Sequence, residues 1–218
     1  MKIKNWVSIL AFLWTLTNVH AAIYTETFTG INTTIPDGSP VGVQFNGIVS
    51  DIPAGLTVGG LTVGMKISGG YNGDLYAYLV APNGTLVVLM NQPGVSGNGF
   101  GANGAGMNIT LQDGPSDHGS IQNETGDSVL SGSYNPAGSL INFNGSVANG
   151  TWTLYFADLS NGGGTSTLNG WSLDITAVPE PVNLALVICG GMVALASLWR
   201  ARRTAAVAKF VAVTGWLN

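Results

Sequence analysis

The stretch Thr151–Thr176, TWTLYFADLSNGGGTSTLNGWSLDIT, contains two runs with the same pattern. In the first, Trp152, Leu154 and Phe156 alternate with Thr153 and Tyr155; in the second, Trp171, Leu173 and Ile175 alternate with Ser172 and Asp174. Successive side chains of a β-strand point to opposite faces, so each run has one apolar and one more polar face. Between them, Ser160-Asn161-Gly162-Gly163-Gly164 supplies residues that tolerate turn conformations. The pattern predicts two strands of a half-buried antiparallel sheet.

Further short segments read the same way: Leu61–Ile67, Asp74–Val80, Thr85–Met90 and Met107–Leu111. Asn-Gly, the strongest short-range hairpin signal, recurs at Asn46, Asn72, Asn83, Asn98, Asn103, Asn144, Asn149, Asn161 and Asn169. Strands spaced about ten residues apart, with no helical period between them, predict an all-β fold. The expected form is an antiparallel jelly-roll β-sandwich over residues 22–177. No repeat of fixed length is visible, which argues against a propeller or solenoid.

Composition agrees. The chain has 218 residues, 45% hydrophobic and only 8% charged, with 32 glycines and 9 prolines. All eleven acidic residues lie between 22 and 182, and the only Lys or Arg there is Lys66. So acidic a segment is a poor partner for nucleic acid. The single cysteine, Cys189, excludes an intrachain disulfide and a thiolate metal cluster.

The two ends read as addresses. Lys2 and Lys4 precede the apolar run Trp6–Leu16, and Val19-His20-Ala21 precedes Ala22. This order predicts a signal peptide over residues 1–21, cut by signal peptidase between Ala21 and Ala22. Near the other end Val178-Pro179-Glu180-Pro181 interrupts regular structure, and an uncharged run from Leu184 to Trp199 precedes Arg200, Arg202 and Arg203. The expectation is a transmembrane helix over 183–199, with the arginines and a tail over 204–218 in the cytoplasm.

Pro179-Glu180-Pro181, the apolar helix and the arginine cluster resemble the PEP-CTERM sorting signal of exported Gram-negative proteins, over residues 178–203. The resemblance implies recognition by an exosortase, at least transient membrane anchoring and a destination in the cell envelope or on the cell surface. Family tails usually stop soon after the arginines, whereas here Thr204–Asn218 follows.

A second resemblance covers about residues 45–176. Tyr71-Asn72-Gly73-Asp74-Leu75, Ala81-Pro82-Asn83-Gly84-Thr85, Gly132-Ser133-Tyr134-Asn135-Pro136, Phe143-Asn144-Gly145, Asn149-Gly150-Thr151-Trp152-Thr153-Leu154 and Leu168-Asn169-Gly170-Trp171-Ser172-Leu173 look like the P domain, or P/Homo B domain. It implies a jelly-roll β-sandwich of the kind that stabilises kexin-like and furin-like serine endopeptidases. The family often has an acidic pair where this chain reads Leu111-Gln112-Asp113-Gly114.

No catalytic constellation accompanies the resemblance. The one histidine beyond residue 21 is His118, in Asp117-His118-Gly119-Ser120. Four residues adjacent along one loop do not generally aim acid, base and nucleophile at a common centre. The expectation is a chain that is not an enzyme. Asp74, Asp113 and Asp158 are candidate calcium ligands, because each opens or ends a strand and calcium takes carboxylate oxygens; the alternative is that they hydrogen-bond turn amides. No other cofactor is expected. Tyr76 and Tyr78 share one strand face and are candidates for stacking on an extracellular polysaccharide, with core packing the alternative. The leading expectation is an exported, non-catalytic surface protein for adhesion, matrix association or protein contact. The alternatives are an accessory domain for a secreted subtilisin-like or kexin-like protease and a carbohydrate-binding module.

Overall fold

The computed structural model describes residues 21–95 and 99–214, with side chains described except at 181–184, 187 and 205–214. The expected signal peptide up to residue 20, including Lys2 and Lys4, lies outside the described residues, as does 215–218. Ala21 and Ala22 are described, and Ala22 opens the first strand.

The chain forms two compact units, Met1–Val178 and Pro179–Asn218. Among its described residues the first forms nine strands: β1 Ala22–Ile35, β2 Ser39–Val49, β3 Leu56–Gly69, β4 Leu75–Val80, β5 Leu86–Asn91, β6 Met107–Leu111, β7 Leu130–Tyr134, β8 Gly150–Asp158 and β9 Ser166–Pro179. They make a five-stranded sheet in the order β1-β9-β3-β6-β7 and a four-stranded sheet in the order β2-β8-β4-β5. The all-β expectation holds, and each predicted segment lies within or overlaps an observed strand.

The decisive stretch behaves as its alternation requires. Trp152, Leu154, Phe156, Trp171, Leu173 and Ile175 are all buried in one apolar core. Trp152 packs edge-on against Phe143, ring centroids 5.3 Å apart, and its indole N–H donates to the Ala148 carbonyl at 2.9 Å. The polar handle of a fully buried tryptophan is thereby satisfied.

The expected uniformly antiparallel sheet needs correction, because β6 and β7 pair in parallel, Met107 opposite Leu130 and Leu111 opposite Tyr134. Antiparallel neighbours can be joined by a tight turn, whereas parallel ones need a crossover. Residues 112–129 provide it, with a single 3-10 turn at Ile121–Asn123. Strands β1, β2 and β7 carry weaker sequence signals. In β1 polar threonines alternate with partly exposed apolar residues, and β7 buries only Leu130 and Tyr134.

The second unit contains a 34-residue helix, α1, Pro181–Thr214. The expected separate membrane helix over 183–199 is not found. Helix α1 continues through Arg200, Arg202 and Arg203, and among the described residues no helix is long and apolar enough to cross a membrane. The uncharged run Leu184–Trp199 covers only about 24 Å at helical rise, short of a hydrocarbon core of about 30 Å. The Arg203 guanidinium lies 3.8 Å above the Trp199 ring, one turn back along the helix. The expected break at 178–181 is also narrower, since β9 runs through Pro179 and only Glu180 separates it from α1.

Candidate functional site

At one end of the four-stranded sheet, three elements bring carboxylates together. Asp158 is the last residue of β8, opposite Leu75 of β4 on one side and Ser39 of β2 on the other. Asp74 ends the 3-10 turn Asn72–Asp74 that leads into β4, so it lies one residue beyond the Leu75–Asp158 pair. Asp37 stands in the turn between β1 and β2.

The backbone around Asp74 is pinned. The buried Asn72 amide donates to the Gly106 carbonyl at 3.0 Å and accepts from the Gly106 N–H at 3.1 Å. The Asp74 carbonyl accepts from the Leu159 N–H at 2.9 Å. The loop after β8 closes over the site: the Gly162 N–H donates to Asp37 at 3.2 Å to Oδ1 and 3.3 Å to Oδ2. A cleft of about 450 Å³ opens beside it, lined by Tyr71, Asp74, Gln92, Ser160, Asn161 and Gly163 among others.

The electrostatics are one-sided. Asp158 is 0% exposed and Asp74 9%. Asp158 Oδ1 accepts from the Ser160 N–H at 3.3 Å, while among the described residues its Oδ2 makes no hydrogen bond of normal geometry. Burial, then the charge of Asp158, pushes the Asp74 carboxyl up to about 6, with the Ser160 hydroxyl opposing and Asp37 reinforcing the shift. Burial also raises Asp158, with help from Asp37 and against the Ser160 and Gly38 amides. Desolvation and like charge both disfavour the ionised forms.

Asp113 does not belong to this group. It lies in the loop after β6, where its Oδ2 accepts from the Ser139 hydroxyl at 2.9 Å and the Ile141 N–H at 2.7 Å, capping the 3-10 turn Leu140–Phe143. The three-aspartate calcium set is therefore not assembled. Among the described residues no group of three or more His, Cys, Asp or Glu side chains could hold a metal ion.

Tyr76 and Tyr78 project from the outer face of β4, while Leu75, Ala77 and Leu79 enter the core. They cluster with Tyr155 of β8: Tyr78 stacks on Tyr155, and Tyr76 meets both rings edge-on. Tyr155 was legible as an outward residue, but nothing in the sequence pairs it with Tyr78. Asp37 and Ser160 also lacked a sequence signal, because Asp and Ser are ordinary turn residues.

The Asp117–Ser120 loop forms no triad. The His118 ring stacks on Tyr134 with centroids 4.8 Å apart. Asp117 Oδ2 accepts from the Ser133 N–H at 2.9 Å and hydroxyl at 2.8 Å, which hold its carboxyl below the usual range. Ser120 accepts from the Gln122 N–H at 3.3 Å as a turn cap.

No curated protein matches the chain. Among solved structures, the serine protease of Aeromonas sobria in complex with its chaperone is 17% identical with a TM-score of 0.44, over 80% of this chain. A second structure, of the serine protease of Aeromonas sobria, gives 17% identity and a TM-score of 0.43 over 79% of the chain. This chain spans 29% of the length of each. The model of the proprotein convertase P-domain matches residues 58–175, from β3 into β9. That match covers more than half of the sequence, and the chain belongs to the proprotein convertase P-domain family.

Proposed function

We propose that this chain is an exported, non-catalytic P domain that acts by contact with a serine endopeptidase carried on another polypeptide. The observation that carries this reading is the family match over 58–175, in a chain whose described residues leave His118 on Tyr134 and Asp117 on Ser133. A domain of this family without its own triad acts by binding, and a subtilisin-like or kexin-like protease is the partner class its family name implies.

The test is capture of the native envelope and secreted fractions on the immobilised full chain, followed by labelling with a fluorophosphonate probe for active-site serines. A labelled protease should be retained, and its activity should survive heating longer in the presence of the chain. Retention of no labelled protein would overturn the reading and favour adhesion or matrix association.

The Pro179-Glu180-Pro181 sequence at the junction of the two units supports a second element, exosortase-type processing there. The intact mass of the protein from its native envelope tests it. A chain ending between Pro179 and Pro181 is the expected result, and a mass that retains Arg200 onward would exclude processing.

A further inference from the structure

An edge strand presents unpaired N–H and C=O groups to which another chain can add. The edges of the two sheets are β1 and β7, and β2 and β5. Three of them are guarded. On β7, Ser133 donates its N–H to Asp117 Oδ2 at 2.9 Å, and its carbonyl accepts from the His118 N–H at 3.2 Å. On β5, the Leu89 and Val88 carbonyls accept from the Ala137 and Gly138 N–H groups at 2.9 and 2.8 Å, and Gln122 holds both backbone groups of Asn91. Strand β2 is interrupted by Pro40 and by a register shift between Ser39 and Val43.

Strand β1 differs. From Ala22 to Thr29 it pairs with β9 in unbroken antiparallel register, and this stretch has no Pro, Gly or Lys. Every second residue of such a strand turns both backbone groups away from its neighbour. Among the described residues no strand or loop meets them. The core is also open along this side. Among the described residues, the half-buried hydrophobic side chains packed against it are Tyr24, Phe28 and Ile31 of β1 and Val43 of β2. A strand added to β1 would set alternate side chains beside Tyr24 and Phe28 and close that seam.

Charge selects the partner. The edge carries Glu26, and on β9 Asp174 stands opposite Thr25, whose hydroxyl donates to it at 2.6 Å. Eleven acidic residues lie between 22 and 182, and the one Lys or Arg there, Lys66, is two strands in on β3. A second copy would bring the same excess of acid to the edge and be repelled, whereas a basic strand is drawn to it. We propose that the β1 edge, Ala22–Thr29, takes up an extended segment of another polypeptide, apolar at alternate positions and basic between them. This goes beyond the protease reading, because it does not depend on what else that polypeptide carries.

The experiment titrates the full chain with a peptide of alternating valine and lysine, as long as Ala22–Thr29, followed by fluorescence anisotropy and amide hydrogen exchange. One control peptide has glutamate in place of lysine; another has the same composition with its valines and lysines in two blocks. The alternating basic peptide should bind about tenfold more tightly than either control, and exchange should slow at every second residue of Ala22–Thr29 while β2, β5 and β7 are unchanged. Glu26→Lys, on an exposed edge, should melt with the parent and bind that peptide about tenfold more weakly. Equal binding of the block peptide would reduce the attraction to net charge and overturn the proposal. Protection on another edge strand, or on none, would overturn it as well. A dimer of the chain alone with the same β1 amides protected would make a second copy the occupant and likewise overturn it.

Discussion

Tyr78 and Tyr155 face each other across the β4–β8 ladder, and their rings stack with centroids 4.5 Å apart and planes 13° from parallel. The Tyr155 hydroxyl donates to the Pro40 carbonyl at 2.6 Å, so this ring also ties β8 to β2. One face of each ring is taken up by the other. Tyr155→Ala should cost about 3 kcal/mol and Tyr155→Phe about 1 kcal/mol in urea unfolding. Tyr76→Ala, which removes only edge contacts, should destabilise less.

The carboxylate pair sets a pH dependence. An Asp74 carboxyl at about 6 when folded, against an ordinary value of 3.8, binds more protons in the folded state across that interval. Its contribution is therefore complete below about pH 4 and is lost as pH rises through about 6. The parent should lose on the order of 2 kcal/mol relative to Asp74→Asn between those limits. The check is the difference between their urea midpoints from acid to neutral pH, and a constant difference would contradict it.

Asn72 clamps both backbone groups of Gly106 from a fully buried position. Asn72→Ala should strand a buried N–H and a buried carbonyl, costing about 2 to 4 kcal/mol. Hydrogen exchange at Gly106 should accelerate more than exchange in β8.

Two glycines with positive φ separate strain from collision. At Gly42, φ is +58°, and an added Cβ would lie 2.2 Å from the Phe156 carbonyl oxygen and 2.6 Å from the Tyr155 hydroxyl. At Gly84, φ is +86° with nothing within 4 Å. Gly84→Ala should cost about 1 to 2 kcal/mol from backbone strain, and Gly42→Ala should cost clearly more. Thermal melts of the two variants side by side decide it.

Much of the sandwich was legible because alternation is local. A buried face every second residue made Thr151–Ala157 and Gly170–Thr176 readable one strand at a time, and their turns announced themselves as Asn-Gly. Edge strands such as β7 were harder, because a strand that buries two residues of five leaves little pattern. The membrane helix was misread for a related reason: the uncharged run is visible, but whether a helix stops at its end or continues through the arginines is not.

What the sequence by itself determined was therefore the all-β class, the core faces of its clearest strands, the family and the absence of cations around the aspartates. Tertiary structure alone decided which aspartates meet. Asp74 and Asp158 lie far apart in the chain and come together because β4 and β8 are neighbours in one sheet, while Asp113, in an equally acidic turn, follows a strand of the other sheet and caps a 3-10 turn there. Strand order is set by packing between distant segments, which no local period encodes, and it is strand order that places one buried carboxylate beside another.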